Sequence, residues 1–107
     1  MNSSKEFNRV YNKPTNSWHT KEFVLFYKKD KSKKVAFIAS KKVGNAIKRN
    51  RAKRLLKAHF IQESQKLESG IYIFVAKPPI LESNFIKTSK TLHYIYKKLN
   101  LYSNVNN

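Results

Sequence analysis

Apolar residues recur along the chain with a period that switches repeatedly between helical and extended. Phe7, Val10 and Tyr11 fall at i, i+3 and i+4 within residues 4–12, predicting a short helix capped by Ser4 and stopped before Pro14. Residues 21–28, KEFVLFYK, are aromatic and branched. They predict a strand with Val24 and Phe26 on one face and Phe23, Leu25 and Tyr27 on the other. A polar turn over 29–34 leads into a second strand, 35–40, and the short connection predicts that the two strands pair as a hairpin. After Gly44-Asn45, with Asn45 as cap, apolar residues return at helical spacing and predict a helix over 46–67, ending at Gly70. At ~1.5 Å per residue such a helix is about 33 Å long. Residues 71–76, IYIFVA, predict a third strand, closed by Lys77-Pro78-Pro79 because proline cannot continue a ladder. Ser83 or Asn84 then caps a last helix with Phe85, Leu92, Ile95, Tyr96 and Leu99 on one stripe, and the chain frays from about residue 103 to 107. The order helix, strand, strand, helix, strand, helix predicts an α+β fold, a two-layer α/β sandwich with a small sheet and a βαβ crossover. Patterning alone favours the right-handed form of that crossover.

Charge changes this picture. In 107 residues there are 23 Lys and Arg against 6 acids, a net charge of +17. The length suits one domain over 1–107, and the apolar fraction of 40% is enough for a core. The charge is concentrated: 31–62 contain eleven basic residues and no acid, and eight of the seventeen positions in 41–57 are Lys or Arg. Such a segment calls for a polyanion. Stepping the long helix at 100° per residue puts Ala52, Leu55, Leu56, His59, Phe60 and Leu67 in one arc, with Asn50, Lys53, Arg54 and Lys57 opposite. Ile61 falls within the basic arc, and Arg49 near the apolar one.

Other chemistry is sparse. There is no cysteine, which excludes a disulfide framework, a thiolate metal site and a cysteine nucleophile. His19, His59 and His93 are scattered, and His59 in the apolar arc reads as structural. The six acids are dispersed, without the paired carboxylates of a metal-dependent nuclease. No catalytic residue and no metal site are expected. No apolar run reaches the ~20 residues of a membrane span, and the start MNSSKEFNRV lacks a secretory apolar segment. The cytoplasm is the expected compartment, with no membrane partner.

The run Ser40-Lys41-Lys42-Val43-Gly44-Asn45-Ala46-Ile47-Lys48-Arg49-Asn50-Arg51-Ala52-Lys53-Arg54 closely resembles the signature of the bacterial ribonuclease P protein component. A basic helix alone is weak evidence, but this ordered run of fifteen positions is specific. The resemblance extends over roughly residues 5–102, through the aromatic pair Phe7 and Tyr11, the strand at 21–27 and the Lys-Pro after the third strand. It implies a mixed sheet of four strands with helices on it and a left-handed βαβ crossover. The missing strand is then a short one near residues 16–19.

The resemblance also implies the role. Members of this family are non-catalytic protein subunits of a ribonucleoprotein endoribonuclease. The RNA subunit, with Mg²⁺ held mainly by RNA, cleaves the 5′ leader from precursor tRNA. The expected partners are that catalytic RNA, one protein per RNA, and precursor tRNA. Residues expected to bind the RNA subunit are Lys41, Lys42, Asn45, Lys48, Arg49, Asn50, Arg51, Lys53, Arg54 and Lys57, with arginines suited to bidentate phosphate contacts. Phe7, Tyr11, Val24 and Phe26 match the family's cleft for the single-stranded leader, where stacking accepts any base. The chain departs from the pattern in three places: Ala52 replaces a bulkier aliphatic, Lys57 stands where arginine is common, and the basic arm usual before the first helix is reduced to Asn2-Ser3-Ser4. The rival is a structural RNA-binding protein, such as a small ribosomal protein, with the same charge and fold class but no link to tRNA maturation.

Overall fold

The computed structural model describes residues 16–103. The first predicted helix, with Ser4, Phe7, Val10 and Tyr11, lies outside the described residues, as do 104–107 of the predicted frayed tail. Four strands form one mixed sheet: β1 (Asn16–His19), β2 (Phe23–Lys28), β3 (Lys33–Ala39) and β4 (Gly70–Ala76), in the order β1-β2-β4-β3. β1 is the short strand expected near residues 16–19.

The predicted hairpin does not form. β4 lies between β2 and β3, antiparallel to the first and parallel to the second. Burial explains the arrangement. β4 is buried on both sides, through Ile71 and Ile73 on one and Tyr72 and Phe74 on the other, and so needs neighbours along both edges. β3 begins with exposed Lys33 and Lys34 and stays partly exposed along its length, which suits an edge.

The parallel β3–β4 pair requires a long crossover. Helix α1 (Ala46–Glu63) supplies it; α2 (Phe85–Lys98) closes the fold. α1 has 18 residues, about 27 Å, and is shorter than predicted. Its end tightens into a 3₁₀ turn at Ser64–Lys66, where Lys33 Nζ donates to the Ser64 carbonyl at 2.6 Å. Leu67 is buried in the core and bridges Tyr102, and Glu68 N donates to Leu101 O at 2.7 Å. The chain therefore leaves the helix in order to pair with its own C-terminal segment, and neither glycine nor proline marks the change. At Gly70 the backbone has φ +147° and a Cβ would strike the Tyr27 ring, whose hydroxyl donates to Ser69 O at 2.7 Å.

One core lies between the helices and the sheet. Leu56 and Phe60 of α1 and Leu92, Ile95 and Tyr96 of α2 pack with Phe23, Leu25, Tyr27, Tyr72 and Phe74. Phe37 stacks on Phe74 at 5.6 Å, and Phe60 meets Tyr72 and Phe74 at 5.4 and 5.8 Å. Each such large side chain contributes roughly 2 kcal/mol on burial. Both helices thus cover one face of the sheet. Among the described residues no helix is long and apolar enough to cross a membrane.

Candidate nucleic-acid interface

The basic run starts where β3 ends. Ser40 Oγ accepts from Lys42 N at 3.3 Å and opens a 3₁₀ turn, Lys41–Val43, whose Val43 is buried as its anchor while both lysines stay exposed. Gly44 then takes φ +140° and ψ −155°, a conformation essentially reserved for glycine; a Cβ there would lie 2.6 Å from Lys48 Cδ. Asn45 caps α1 as predicted, its Oδ1 accepting from Lys48 N at 3.0 Å.

From this start the helix is seated by Ala52, Leu56, His59 and Phe60, all buried, with Leu55 packed beside them. Ala52 is fully buried, so the small residue sits within the helix–sheet contact. Phasing then decides what faces outward. Lys48, Asn50, Arg51, Arg54 and Lys57 are exposed, and Arg49 and Lys53 are half-buried on the shoulders. Arg49 lies near the buried side, as the 100° stepping predicts. The same outward surface carries Ile47, 77% exposed, and Ile61, 59% exposed.

No acid offsets these charges. Among the described residues no ion pair involves the basic residues from Lys41 to Lys57, and the first turn of α1 has no acidic side chain. Lys48 and Arg49 stand at the positive end of the helix dipole, where an anion is favoured and a cation is not. An anion placed against this face would relieve the repulsion among its charges.

His59 belongs to the seat. It is 2% exposed, stacks on Phe85 of α2 at 3.9 Å and 17°, and its Nδ1 lies 3.1 Å from Ser89 Oγ. Ser89 Oγ also lies 3.1 Å from Gln62 Oε1, so one hydroxyl bridges Nδ1 of the ring to Gln62 and leaves Nε2 outside the bridge. That Nε2 is buried without a partner, and burial holds the imidazole pKa below its usual value. This histidine joins the two helices.

Val24 and Phe26 lie together on the sheet face opposite the helices. Cross-strand register sets rows there: His19–Val24–Val75–Ile38, then Ser17–Phe26–Ile73–Ala36, then Lys28–Ile71–Lys34. Ile71 and Ile73 are buried with Phe26, Ala36 and Val75 packed around them. Val24 is 7% exposed, whereas Phe26 is half-buried and meets His19 edge-on at 6.4 Å. Phe7 and Tyr11 lie outside the described residues. The candidate groups therefore divide between two surfaces, α1 on one side of the sheet and the Val24–Phe26 face on the other. They are linked at one end, because the Val24 row finishes at Ile38, two residues before Ser40.

Several residues of this face were not singled out from the sequence: Ile38, Ala36, Ile73, Lys28 and Lys34. Alternation within β3 and β4 carries the signal, but it needs the β2-β4-β3 order to place them beside Phe26. Among the described residues no group of three His, Cys, Asp or Glu is placed to hold a metal ion.

Comparison with known proteins agrees with this architecture. The family model for ribonuclease P matches residues 1–100. A ribonuclease P protein component from Nitratiruptor sp. is 43% identical over 99 residues, covering 92% of this chain and 90% of that protein. One from Bacillus velezensis is 31% identical over 105 residues, covering 95% and 90%. Among solved structures, the Staphylococcus aureus RNase P protein superposes with a TM-score of 0.78 at 23% identity, covering 96% of each chain. The Thermotoga maritima RNase P protein superposes with a TM-score of 0.75 at 17% identity, covering 92% and 94%. At those identities the structures speak for the fold, while the sequence matches speak for kinship. The chain belongs to the ribonuclease P protein family, the protein components that partner the RNA subunit of a ribonucleoprotein endoribonuclease.

Proposed function

We propose that this chain acts as one RNA-binding domain. It holds the catalytic RNA subunit on the outward face of α1, and the 5′ leader of precursor tRNA on the Val24–Phe26 face. The observation that carries the reading is the α1 surface: a rigid, acid-free array of Arg49, Arg51, Lys53, Arg54 and Lys57, fixed in rotation by Ala52, Leu56 and Phe60 and in register by Gly44 and Asn45. Arginine forks pair bidentately with phosphate oxygens and set the RNA in one register; Asn50 adds uncharged hydrogen bonding; Lys41, Lys42 and Lys48 add a sequence-independent field. The leader, single-stranded, stacks on the half-buried ring of Phe26, with Lys28 and Lys34 on the same face toward its phosphates. Chemistry belongs to the RNA and its Mg²⁺. The protein contributes phosphate neutralisation and positioning, one copy per RNA, in the cytoplasm.

The test is reconstitution with the cognate RNA subunit. The protein alone leaves precursor tRNA intact, and it raises cleavage by the RNA at low Mg²⁺. Arg51→Ala with Arg54→Ala lowers affinity for the RNA subunit and flattens its salt dependence by roughly one unit of log–log slope per lost phosphate contact. Phe26→Ala weakens binding of precursor tRNA more than of mature tRNA. Cleavage by protein without RNA, or unchanged RNA affinity in the double variant, would refute the assignment.

A further inference from the structure

We infer that the outer face of α2 is a third RNA-binding surface, on which a nucleobase of a single-stranded segment stacks against Tyr94 while Lys97 and Lys98 take its phosphates. α2 buries Thr88, Leu92, Ile95 and Tyr96. The opposite line holds Ile86, Lys90, Tyr94 and Lys97, flanked by Lys87 and Lys98. All four lysines are exposed and none is in an ion pair among the described residues; Glu22 and Glu82 line one depression with Lys87 and Lys90, so the charge that no acid adjoins is that of Lys97 and Lys98. On a chain of net charge +17, such an unpaired cluster is a standing repulsion that a phosphate backbone relieves.

Charge alone would suit any polyanion; Tyr94 narrows the choice. Its ring is 52% exposed on the side of the helix where an amphipathic pattern places polar residues. It is held in place from two directions, by Trp18 of β1 edge-on at 5.9 Å and 79°, and by Lys98 Nζ 5.5 Å from the ring centroid. A depression of about 330 Å³ is lined by Tyr94, Lys97 and Lys98. A fixed, exposed aromatic ring with an ammonium group over it and a second lysine in the same depression is what an unstacked base with its phosphate requires, and every base has a π-face to offer. Since α2 has lysines and no arginine, the contact follows the backbone without setting register.

This surface is separate from both surfaces already described. Tyr94 stands nine residues beyond Phe85, the point where α2 meets α1, about 13 Å along the helix. Trp18 is directed by the β1–β2 register to the helix-covered side, away from Phe26.

Trp18 is the only tryptophan in the chain, which gives the test its reporter. Titration of the full chain with an unstructured oligouridine should change Trp18 fluorescence to saturation. Tyr94→Ala should abolish that change and lower affinity for the oligonucleotide about tenfold, while Tyr94→Phe keeps both. Lys97→Gln with Lys98→Gln should reduce the salt slope by about 1.4, the single-strand value for two phosphates. Circular dichroism confirms that each variant is folded. The Arg51→Ala and Arg54→Ala protein should keep the Trp18 response whatever happens to its binding of the RNA subunit, so this surface and the α1 surface fail or stand separately. Trp18 emission that stays constant at saturating RNA, or a response that survives in Tyr94→Ala, would overturn the inference.

Discussion

The two helices share a sheet face and begin with the same device, yet they distribute their residues in opposite ways. Asn45 and Asn84 each accept from the amide three residues on, at 3.0 Å. α2 then follows the amphipathic rule more closely, with Leu92, Ile95 and Tyr96 inside and four lysines outside, broken on its outer line by Ile86 and Tyr94. α1 breaks it, with isoleucines at 47 and 61 outside and a histidine at 59 inside. A helix in a small domain needs few buried positions to hold its place, and α1 uses Ala52, Leu56 and Phe60. The rest of its surface is free of the fold's demands, and that is the surface proposed to meet the RNA.

The largest expected effect tests which residues seat α1. Leu56→Ala should cost about 2–5 kcal/mol of stability by cavity formation, whereas Ile61→Ala, an apolar deletion on the same helix, should stay within about 0.5 kcal/mol. Denaturant midpoints of the two variants measure the contrast directly, and comparable losses would mean that the outward face is packed after all. A smaller effect sharpens the comparison of the caps. Asn45→Ala and Asn84→Ala should each cost about 1 kcal/mol, but only the first should also weaken binding of the RNA subunit, because it loosens the turn that carries Lys48, Arg49 and Arg51. Equal RNA affinities in the two variants would place the register of the basic face elsewhere.

The smallest effect concerns the histidine between the helices. Burial depresses its pKa in the folded state, so the unfolded chain binds the proton more readily. The stabilisation is complete above the unfolded value of about 6.5 and declines as pH falls below it, by at most about 1.4 kcal/mol per pH unit. His59→Gln should remove that slope. Comparing parent and variant midpoints at about pH 7.5 and about pH 5.5 isolates the residue, since the other titrating groups are common to both. Parallel pH dependences would mean that His59 does not report on the α1–α2 contact.

Local chemistry was legible in the sequence wherever it decided structure alone. The alternation in 23–28 and 71–76, the Gly44-Asn45 turn, the asparagine caps and the rotation of α1 all appear where residue type and spacing place them. Strand order was not legible, because the short link from β2 to β3 invites a hairpin, while the double-sided burial of β4 is a property of the assembled layers. The end of α1 was missed for a similar reason: Leu67 leaves the helix to meet Tyr102, thirty-five positions away, and no local residue announces it. Of the candidate interface, the basic face of α1 could be read from 100° steps, and the pairing of Val24 with Phe26 on one sheet face from simple alternation. The Trp18–Tyr94 contact and the His59–Phe85–Ser89 junction required the helices to be in place.

The position of β4 also sets an order of events at the ribosome. The strand that joins β2 to β3 is made last of the four, after all of α1. Until residues 70–76 are made, β2 and β3 have no strand to join them, while the densest run of positive charge is already in the chain. The sheet is therefore committed in one late step that depends on contacts distant in sequence, a slow class of folding event. A chain interrupted before β4 is consequently not a smaller version of this protein: it carries the dense charge of α1 without the scaffold that gives it direction.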